Sequence, residues 1–331
     1  MFLNLSRNSK LKRIGRGLRH LRRGTAPERI RLAYFQYNER KRLAWWQSQI
    51  GKRHGLEIVL QPGVRMQLNL DSMLSQAIYC SAFEMNERRF LNAFLRPGDV
   101  FVDVGANIGL YTLIAAHIVG GSGRVYAFEP CSETYQRLLS NVHLNQITNV
   151  ACHELALSDS TANLNLNVSQ DGYDAWNSLA KPIAGSSFAS KTIETVKLDT
   201  FVEENNLAGR LTMIKIDVEG WEGRVLEGGF KTLSQLDAPI LQVEFTEQAA
   251  RTAGSSCEKL YRDLAQLGYR MFTYDPKSRC LIDEPIREYF PHLNLIAAKQ
   301  PEKVCSRLRA RSKSPWYRLG GTGLPRRGFE I

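Results

Sequence analysis

Long apolar runs are missing from this sequence. The least polar stretch, residues 100–119, is interrupted by Asp103 and Asn107, so no segment offers the roughly 18–20 apolar residues of a membrane-spanning helix. The N-terminus has no apolar h-region, which speaks against a secretory signal. Paired cysteines are missing too. Cys80, Cys131, Cys152, Cys257, Cys280 and Cys305 are scattered and form no C-x-x-C pair. That is the pattern of free thiols in a reducing, cytoplasmic setting rather than of a disulfide framework. No self-similarity recurs at a period of about 20–50 residues, which excludes a solenoid.

Acidic residues are absent from residues 1–27, and residues 1–55 carry 15 Lys/Arg against Glu28 and Glu39, a balance of +13. Residues 301–331 add +6, from 8 Lys/Arg against Glu302 and Glu330. The chain total is +11, so residues 56–300 carry −8. The basic character belongs to the two ends, and an RNA-binding reading of the whole chain is disfavoured by its acidic middle. Leu11, Ile14, Leu18 and Leu21 form one apolar stripe on a basic helix weakened by Gly15 and Gly17. Such a segment suits a solvated tail, a helix resting on anionic lipid at a membrane surface, or a transit peptide or nucleic-acid arm. Residues 301–331, rich in Arg, Gly and Ser, are expected to be a disordered tail.

Between these ends the pattern is that of one domain over residues 56–300. A helix is predicted over residues 33–50, with Trp45 and Trp46 as packing residues. A hairpin follows, 57–60 against 64–70 around Gln61-Pro62-Gly63, and then a helix over 84–94. The most informative stretch is 100–129, VFVDVGANIGLYTLIAAHIVGGSGRVYAFE. Val100–Val104 is an apolar run with one carboxylate, the mark of a buried parallel strand. Gly105-Ala106-Asn107-Ile108-Gly109 lets the backbone turn and approach a ligand closely. Leu110–Val119 reads as a buried helix ended by glycines, and Arg124–Phe128 as a second strand with Glu129 at its tip.

This is a cradle for a nucleotide-like ligand, but it lacks the third glycine of a dinucleotide fingerprint. Asn107 stands where the second glycine would be, and Asp103 precedes the loop. An anion there suits a cation better than a pyrophosphate, which favours S-adenosylmethionine over the nicotinamide cofactor of an oxidoreductase. Glu129 can accept from both hydroxyls of a ribose.

Alternation continues with a helix over 132–145 and strands over 150–157, 211–217, 240–245, 269–274 and 293–298. Helices are predicted over 222–233 and 256–267. The expected fold is α/β: a doubly wound, mostly parallel, seven-stranded sheet carrying a helical and hairpin N-terminal extension, with ligands at the carboxyl ends of its strands. Residues 163–168 alternate like an exposed strand. Residues 169–191 are polar and aperiodic, a connection long enough to be a lid or substrate loop.

DVGANIG at 103–109, FEP at 128–130 and KIDVEG at 215–220, followed by Val225-Leu226-Glu227-Gly228, resemble the FkbM family of S-adenosylmethionine-dependent methyltransferases. Glu84 in FEMNERRFL, Pro97-Gly98-Asp99 and Leu198-Asp199-Thr200-Phe201 extend the likeness over about residues 56–300. The resemblance implies a Rossmann-like class I methyltransferase fold and a hydroxyl acceptor on a sugar, glycan or secondary metabolite. It also assigns roles. Asp103, Gly105 and Gly109, with Asn107, would hold the methionine end of the cofactor, and Glu129 its ribose. Adenine would lie near Ala156 and Leu157, with Asp159 a weaker candidate.

Asp217 and Glu219 bracket Val218, and on extended backbone residues two apart face one side. In the resembled architecture this strand tip lies beside the departing methyl, so either acid is a candidate general base, and Glu244 at the next tip is a third. The same three acids could instead collect a divalent cation. Asn177 and Ser178 are loop candidates for contact with a polar acceptor, and His292 reads as a turn residue.

Overall fold

The computed structural model describes residues 28–81, 83–169, 178–179 and 188–310. The basic stripe at 11–21, Asn177 with most of the 169–191 connection, and residues 311–331 lie outside them. The described chain begins with α1 (Glu28–Gln49). Trp46 is buried, and the rings of Trp45 and Trp46 lie 5.2 and 5.6 Å from that of Tyr79 on α2 (Met73–Cys80). β1 (Gly55–Gln61) and β2 (Val64–Asn69) form the expected antiparallel hairpin. α3 (Met85–Phe94) buries Phe90, Leu91 and Phe94 and delivers the chain to β3 (Val100–Val104).

α4 (Leu110–Val119), β4 (Arg124–Phe128), α5 (Ser132–Leu144) and β5 (Val150–His153) complete the first half of the main sheet. Asn141 and Asn145 on α5 clamp the hairpin. Their side-chain carbonyls accept from the backbone N–H of Gln67 and Arg65, both at 2.7 Å. The second half is built from β9 (Met213–Ile216), β10 (Ile240–Phe245), β11 (Arg270–Asp275), β12 (Cys280–Asp283) and β13 (Leu293–Ala298). The strand order is β12-β11-β13-β10-β9-β3-β4-β5. β5, β4, β3, β9 and β10 run parallel, while β13, β11 and β12 pair antiparallel. The seven expected strands are present, and β12 adds an eighth at the edge.

Successive β3 residues feed opposite faces. Phe101 joins one apolar layer with Leu113 and Phe90; Val100, Val102 and Val104 join the other with Ile214 and Val225. Both faces are covered, as a parallel sheet requires. β3 is followed in sequence by its neighbour β4 but is flanked on the other side by β9, so the connections diverge and open a crevice at the carboxyl ends.

Three expectations change. The strand foreseen over 150–157 divides at Glu154-Leu155. β6 (Ala156–Leu157) leaves the main sheet for a small one of order β6-β8-β7, made with β7 (Ala162–Ser169) and β8 (Phe188–Val196). β8 captures it by parallel pairing of Ala156 with Thr195 and Leu157 with Val196. The helix foreseen over 222–233 is α7 (Glu222–Gly228) followed by α8 (Phe230–Ser234). At this break Gly228 lies so close to the next layer that a Cβ on it would stand 1.9 Å from the Ser158 carbonyl oxygen.

The third change is at the end. Residues 301–310, expected as disordered tail, form α11 (Pro301–Ala310), with Val304 and Leu308 buried. Arg307 pairs with Asp99, donates to the Phe94 carbonyl at 2.7 Å and lies over the Phe94 ring. Short helices complete the chain: α6 (Leu198–Glu204), α9 (Glu247–Thr252) and α10 (Cys257–Gln266), the last capped by Ser256. No helix among the described residues is long and apolar enough to cross a membrane. Because Leu308 is fully buried, Leu308→Ala should cost about 2–5 kcal/mol in urea unfolding, whereas an undocked tail would give no change.

Candidate active site

A cavity of about 260 Å³ opens at the carboxyl ends of β3, β4 and β9. Its floor is the turn after β3. The N–H groups of Gly105 and Ala106 both donate to the Phe128 carbonyl, at 3.0 and 2.9 Å, tying the turn to β4. Gly105 has φ +79°, and a Cβ there would lie 1.9 Å from the Asp217 carbonyl oxygen. The glycine is required because two strand tips meet backbone to backbone at this point. Asn107 holds φ +46°. Its N–H donates to Glu129 Oε2 at 3.0 Å, and its own Oδ1 accepts from Ile108 N–H at 2.8 Å.

Glu129 is buried at the tip of β4, and Oε1 accepts from the Cys131 N–H at 3.0 Å. Its carboxylate is thus fixed by the backbone on both oxygens, on the wall of the cavity. Phe128, Ala156, Leu157 and Leu166 give that side an apolar surface. Ser178 returns from the long connection to bridge Asn167, and its hydroxyl donates to the Glu219 carbonyl at 2.6 Å.

The opposite wall is acidic. Lys215 Nζ sits 2.6 Å from Asp217 Oδ2 and 4.7 Å from the centre of the Tyr111 ring. Burial opposes its charge, but Asp217, Asp103 and Glu84 outweigh that and raise its pKa. Burial likewise pushes the Asp217 carboxyl up, and Lys215 more than reverses this, leaving it below its ordinary value. Glu219, at φ +53°, is driven well above the usual carboxylate range by burial and then by Glu244, Asp217 and Glu222. Burial and Asp217 raise Glu244, against hydrogen bonds from His292 and Thr246. Glu222 stands behind the tip, with Oε1 accepting from the N–H of Val218 and of Gly220, both at 3.1 Å.

The structure brings Gly105, Asn107, Glu129, Ala156, Leu157, Asp217, Glu219 and Glu244 to one cavity. Three expected residues are not among those lining the cavity. Asp103 lies behind the turn, with Oδ2 accepting from the Thr112 hydroxyl at 2.6 Å and Oδ1 buried without a partner. Asp103 is in register with Lys215 on β9 and shares its side of the sheet, but it stands two residues before Gly105, where α4 covers that side through Thr112. Gly109, at φ +95°, faces α5, where a Cβ would meet Leu138 at 2.8 Å. It serves packing rather than the cavity wall. Asp159 pairs with Arg224 at 2.8 Å and also stands off the cavity.

Other cavity residues carried little or no sequence signal. Glu84 caps α3 in a left-handed conformation, φ +45°. Its Oε1 accepts from Asn294 at 3.2 Å, and burial, opposed by Lys215, raises its pKa to about 7. His292, read as a turn residue, lines the cavity with Nδ1 3.2 Å from Glu244 Oε1 and 2.9 Å from the Thr246 hydroxyl. Its hydrogen bond to Glu244 outweighs burial and raises its pKa. Only the KIDVEG and FEMNERRFL resemblances touch Lys215 and Glu84.

Two outcomes follow. Gly105→Ala should abolish ligand binding in the cavity and lower the unfolding midpoint, because neither the Cβ nor the positive φ is accommodated; circular dichroism with calorimetry checks both. For Glu84 the folded pKa exceeds the unfolded one, so its stabilising contribution is present at low pH and is lost as pH rises through about 7. The stability of Glu84→Gln relative to the parent should therefore increase between about pH 5 and about pH 8 in urea titrations.

The cavity fits S-adenosylmethionine on its own observations. Its wall carries the carboxyl groups of Glu84, Glu129, Asp217, Glu219 and Glu244 beside the one ammonium of Lys215, so hydrogen-bond acceptors for a ligand's ammonium and ribose hydroxyls predominate. The Gly105 turn admits close backbone approach, and the apolar side suits a purine. A family model described as the methyltransferase FkbM domain matches residues 103–271. The hexuronic acid methyltransferase AglP of Haloferax volcanii is 29% identical over 160 residues, covering 48% of this chain and 62% of that one. The 31-O-demethyl-FK506 methyltransferase FkbM of Streptomyces tacrolimicus is 30% identical, covering 40% of this chain and 60% of the relative.

The chain thus spans about three fifths of the length of these relatives. Among solved structures, M. jannaschii TYW2 in complex with AdoMet is a loose likeness at 14% identity and a TM-score of 0.40, over 75% of this chain and 85% of that one. The family model spans more than half of the sequence and begins on the strand that carries the glycine turn. The chain belongs to the FkbM methyltransferases, an S-adenosylmethionine-dependent family.

Proposed function

We propose that this protein transfers a methyl group from S-adenosylmethionine to a hydroxyl of a sugar, glycan or small secondary metabolite. The observation that carries the reading is the convergence of two chemically different walls on one cavity. The Gly105 turn and Glu129 stand on one side, and the carboxylates of Asp217, Glu219 and Glu244 on the other. The two named relatives support a hydroxylated acceptor, since one acts on hexuronic acid and the other on 31-O-demethyl-FK506.

When bound, S-adenosylmethionine supplies a methyl group already activated by its sulfonium. The work of the chain is binding, alignment and removal of one proton. Gly105 and Asn107 shape the floor for the methionine end, and Glu129 presents carboxylate lone pairs to the ribose hydroxyls. Ala156 and Leu157 flank the adenine. Asp103 acts at one remove, anchoring α4 through Thr112 and adding charge beside Lys215.

On the acceptor side the carboxylates offer hydrogen-bond acceptors to the hydroxyl, orient its oxygen toward the methyl carbon and provide a general base. Asp217, already engaged by Lys215, orients; Glu219 and Glu244 stand nearer to the proton-accepting role. Ser178 fixes the Glu219 backbone from above. Residues 1–55 and 301–331 are assigned to basic flanks of the 56–300 domain, the first suited by its charge to contact with an anionic membrane surface.

Two measurements test this reading. S-adenosylhomocysteine should raise the thermal midpoint by several degrees while NADH leaves it unchanged; the reverse pattern would remove the cofactor assignment. In calorimetry Glu129→Gln should weaken S-adenosylhomocysteine about ten- to a hundredfold, the loss of one to two charged hydrogen bonds. Incubation with S-adenosylmethionine and a panel of sugars and polyols should then give a product one methyl heavier, detected by mass.

A further inference from the structure

Carboxylate oxygens of Asp217, Glu219 and Glu244, one from each, lie within 4.8 Å of one another. Donors sharing one hard cation have this spacing. At the roughly 2.0–2.1 Å of Mg²⁺, oxygens on opposite sides of an ion stand about 4.0–4.2 Å apart and adjacent ones about 2.8–3.0 Å. A group of acids alone would be no more than an acidic face. Glu244 sets this one apart. Its side chain is 5% exposed, Oε1 is engaged by Thr246 and His292, and Oε2 is buried without a partner. An oxygen of the same carboxyl lies within 4.8 Å of one of Asp217. Two carboxylates at that range, one of them buried, repel unless a proton or a cation stands between them.

The cations already present leave Glu244 Oε2 without a partner. Lys215 binds Asp217 through Oδ2 and is shared with Asp103 and Glu84. His292 turns Nδ1 to Glu244 Oε1, on the far oxygen. S-adenosylmethionine brings one net positive charge to a wall of five carboxylates. An all-oxygen donor set of this kind selects a hard ion over zinc or copper.

We propose that Asp217, Glu219 and Glu244 hold one divalent cation of the Mg²⁺ or Mn²⁺ type, placed to grip the acceptor hydroxyl. Its role in turnover rests on the methyltransferase reading above; its binding does not. An acceptor hydroxyl on the ion is acidified, and its proton passes to a carboxylate oxygen of the group that is not ligating. The hydroxyl oxygen then bonds to the methyl carbon while the carbon–sulfur bond breaks, its electron pair staying on sulfur to give S-adenosylhomocysteine.

The test uses the full chain freed of metal by a chelator, with Mn²⁺ as probe and neither cofactor nor acceptor present. Electron paramagnetic resonance of free Mn²⁺ should report one ion bound per chain, displaced by Mg²⁺. Glu219→Gln and Glu244→Gln should each weaken Mn²⁺ at least tenfold, while the exposed Glu227→Gln leaves it unchanged. If Glu244→Gln does not fold, Glu219→Gln, whose side chain is only partly buried, carries the comparison. Absence of stoichiometric Mn²⁺ from the parent protein, or equal affinity in Glu219→Gln, overturns the inference. S-adenosylhomocysteine binding measured on the same samples separates the two readings: cofactor bound without Mn²⁺ removes the ion alone, and Mn²⁺ bound without cofactor removes the methyltransferase reading alone.

Discussion

Lys215 carries a buried ammonium 2.6 Å from Asp217, in register with Asp103 and within electrostatic reach of Glu84. These three acids come from β9, β3 and the entry to α3, segments that share no local interaction. An ammonium with 3% of its side chain exposed is tolerable only because they surround it. Its charge in turn favours the ionised form of each, against burial. β3 and β9 pair directly, and the Asp217 N–H donates to the Val104 carbonyl at 3.1 Å, which brings their tips together beside Lys215. That approach makes Gly105 obligatory and opens the crevice at the strand switch.

From that centre the two walls acquire opposite characters. Toward β4 the backbone does the work: Phe128 takes two N–H groups from the turn, and Glu129 is pinned by Asn107 and Cys131. A carboxylate fixed in this way loses little freedom when a ribose arrives. Toward β10 the side chains do the work, and like charges are crowded beyond what Lys215 compensates. The first wall is preorganised for the part of the ligand that stays bound, and the second for the atoms that change. This division follows the sheet topology, since one wall belongs to each branch of the connections leaving β3.

The sequence made the first wall far more legible than the second. DVGANIG and Glu129 lie within one strand–turn–helix–strand unit, where local rules for glycine, buried strands and caps apply directly. For Asp103 the place near a strand tip was legible, while its burial and its bond from Thr112 were not. Glu84 and His292 reach the cavity from 133 residues before and 75 residues after Asp217, distances over which periodicity carries no information. Residues 301–310 were hidden by their arginines. Pro301 at the first helical position, Glu302 beside it and Arg307 and Arg309 in the last turn are nonetheless a readable helix signature. The departure of β6 from the main sheet depended on a partner, β8, about 40 residues away in sequence.

The central claim is that the turn after β3 and the tip of β4 together receive S-adenosylmethionine. A crystal structure of the full chain with S-adenosylhomocysteine tests it most directly. The account predicts density for the ligand in the cavity, its ribose hydroxyls within hydrogen-bond distance of Glu129 and its methionine end against the Gly105–Asn107 backbone. A ligand lodged elsewhere, or one in the cavity with Glu129 turned away from it, would contradict the account.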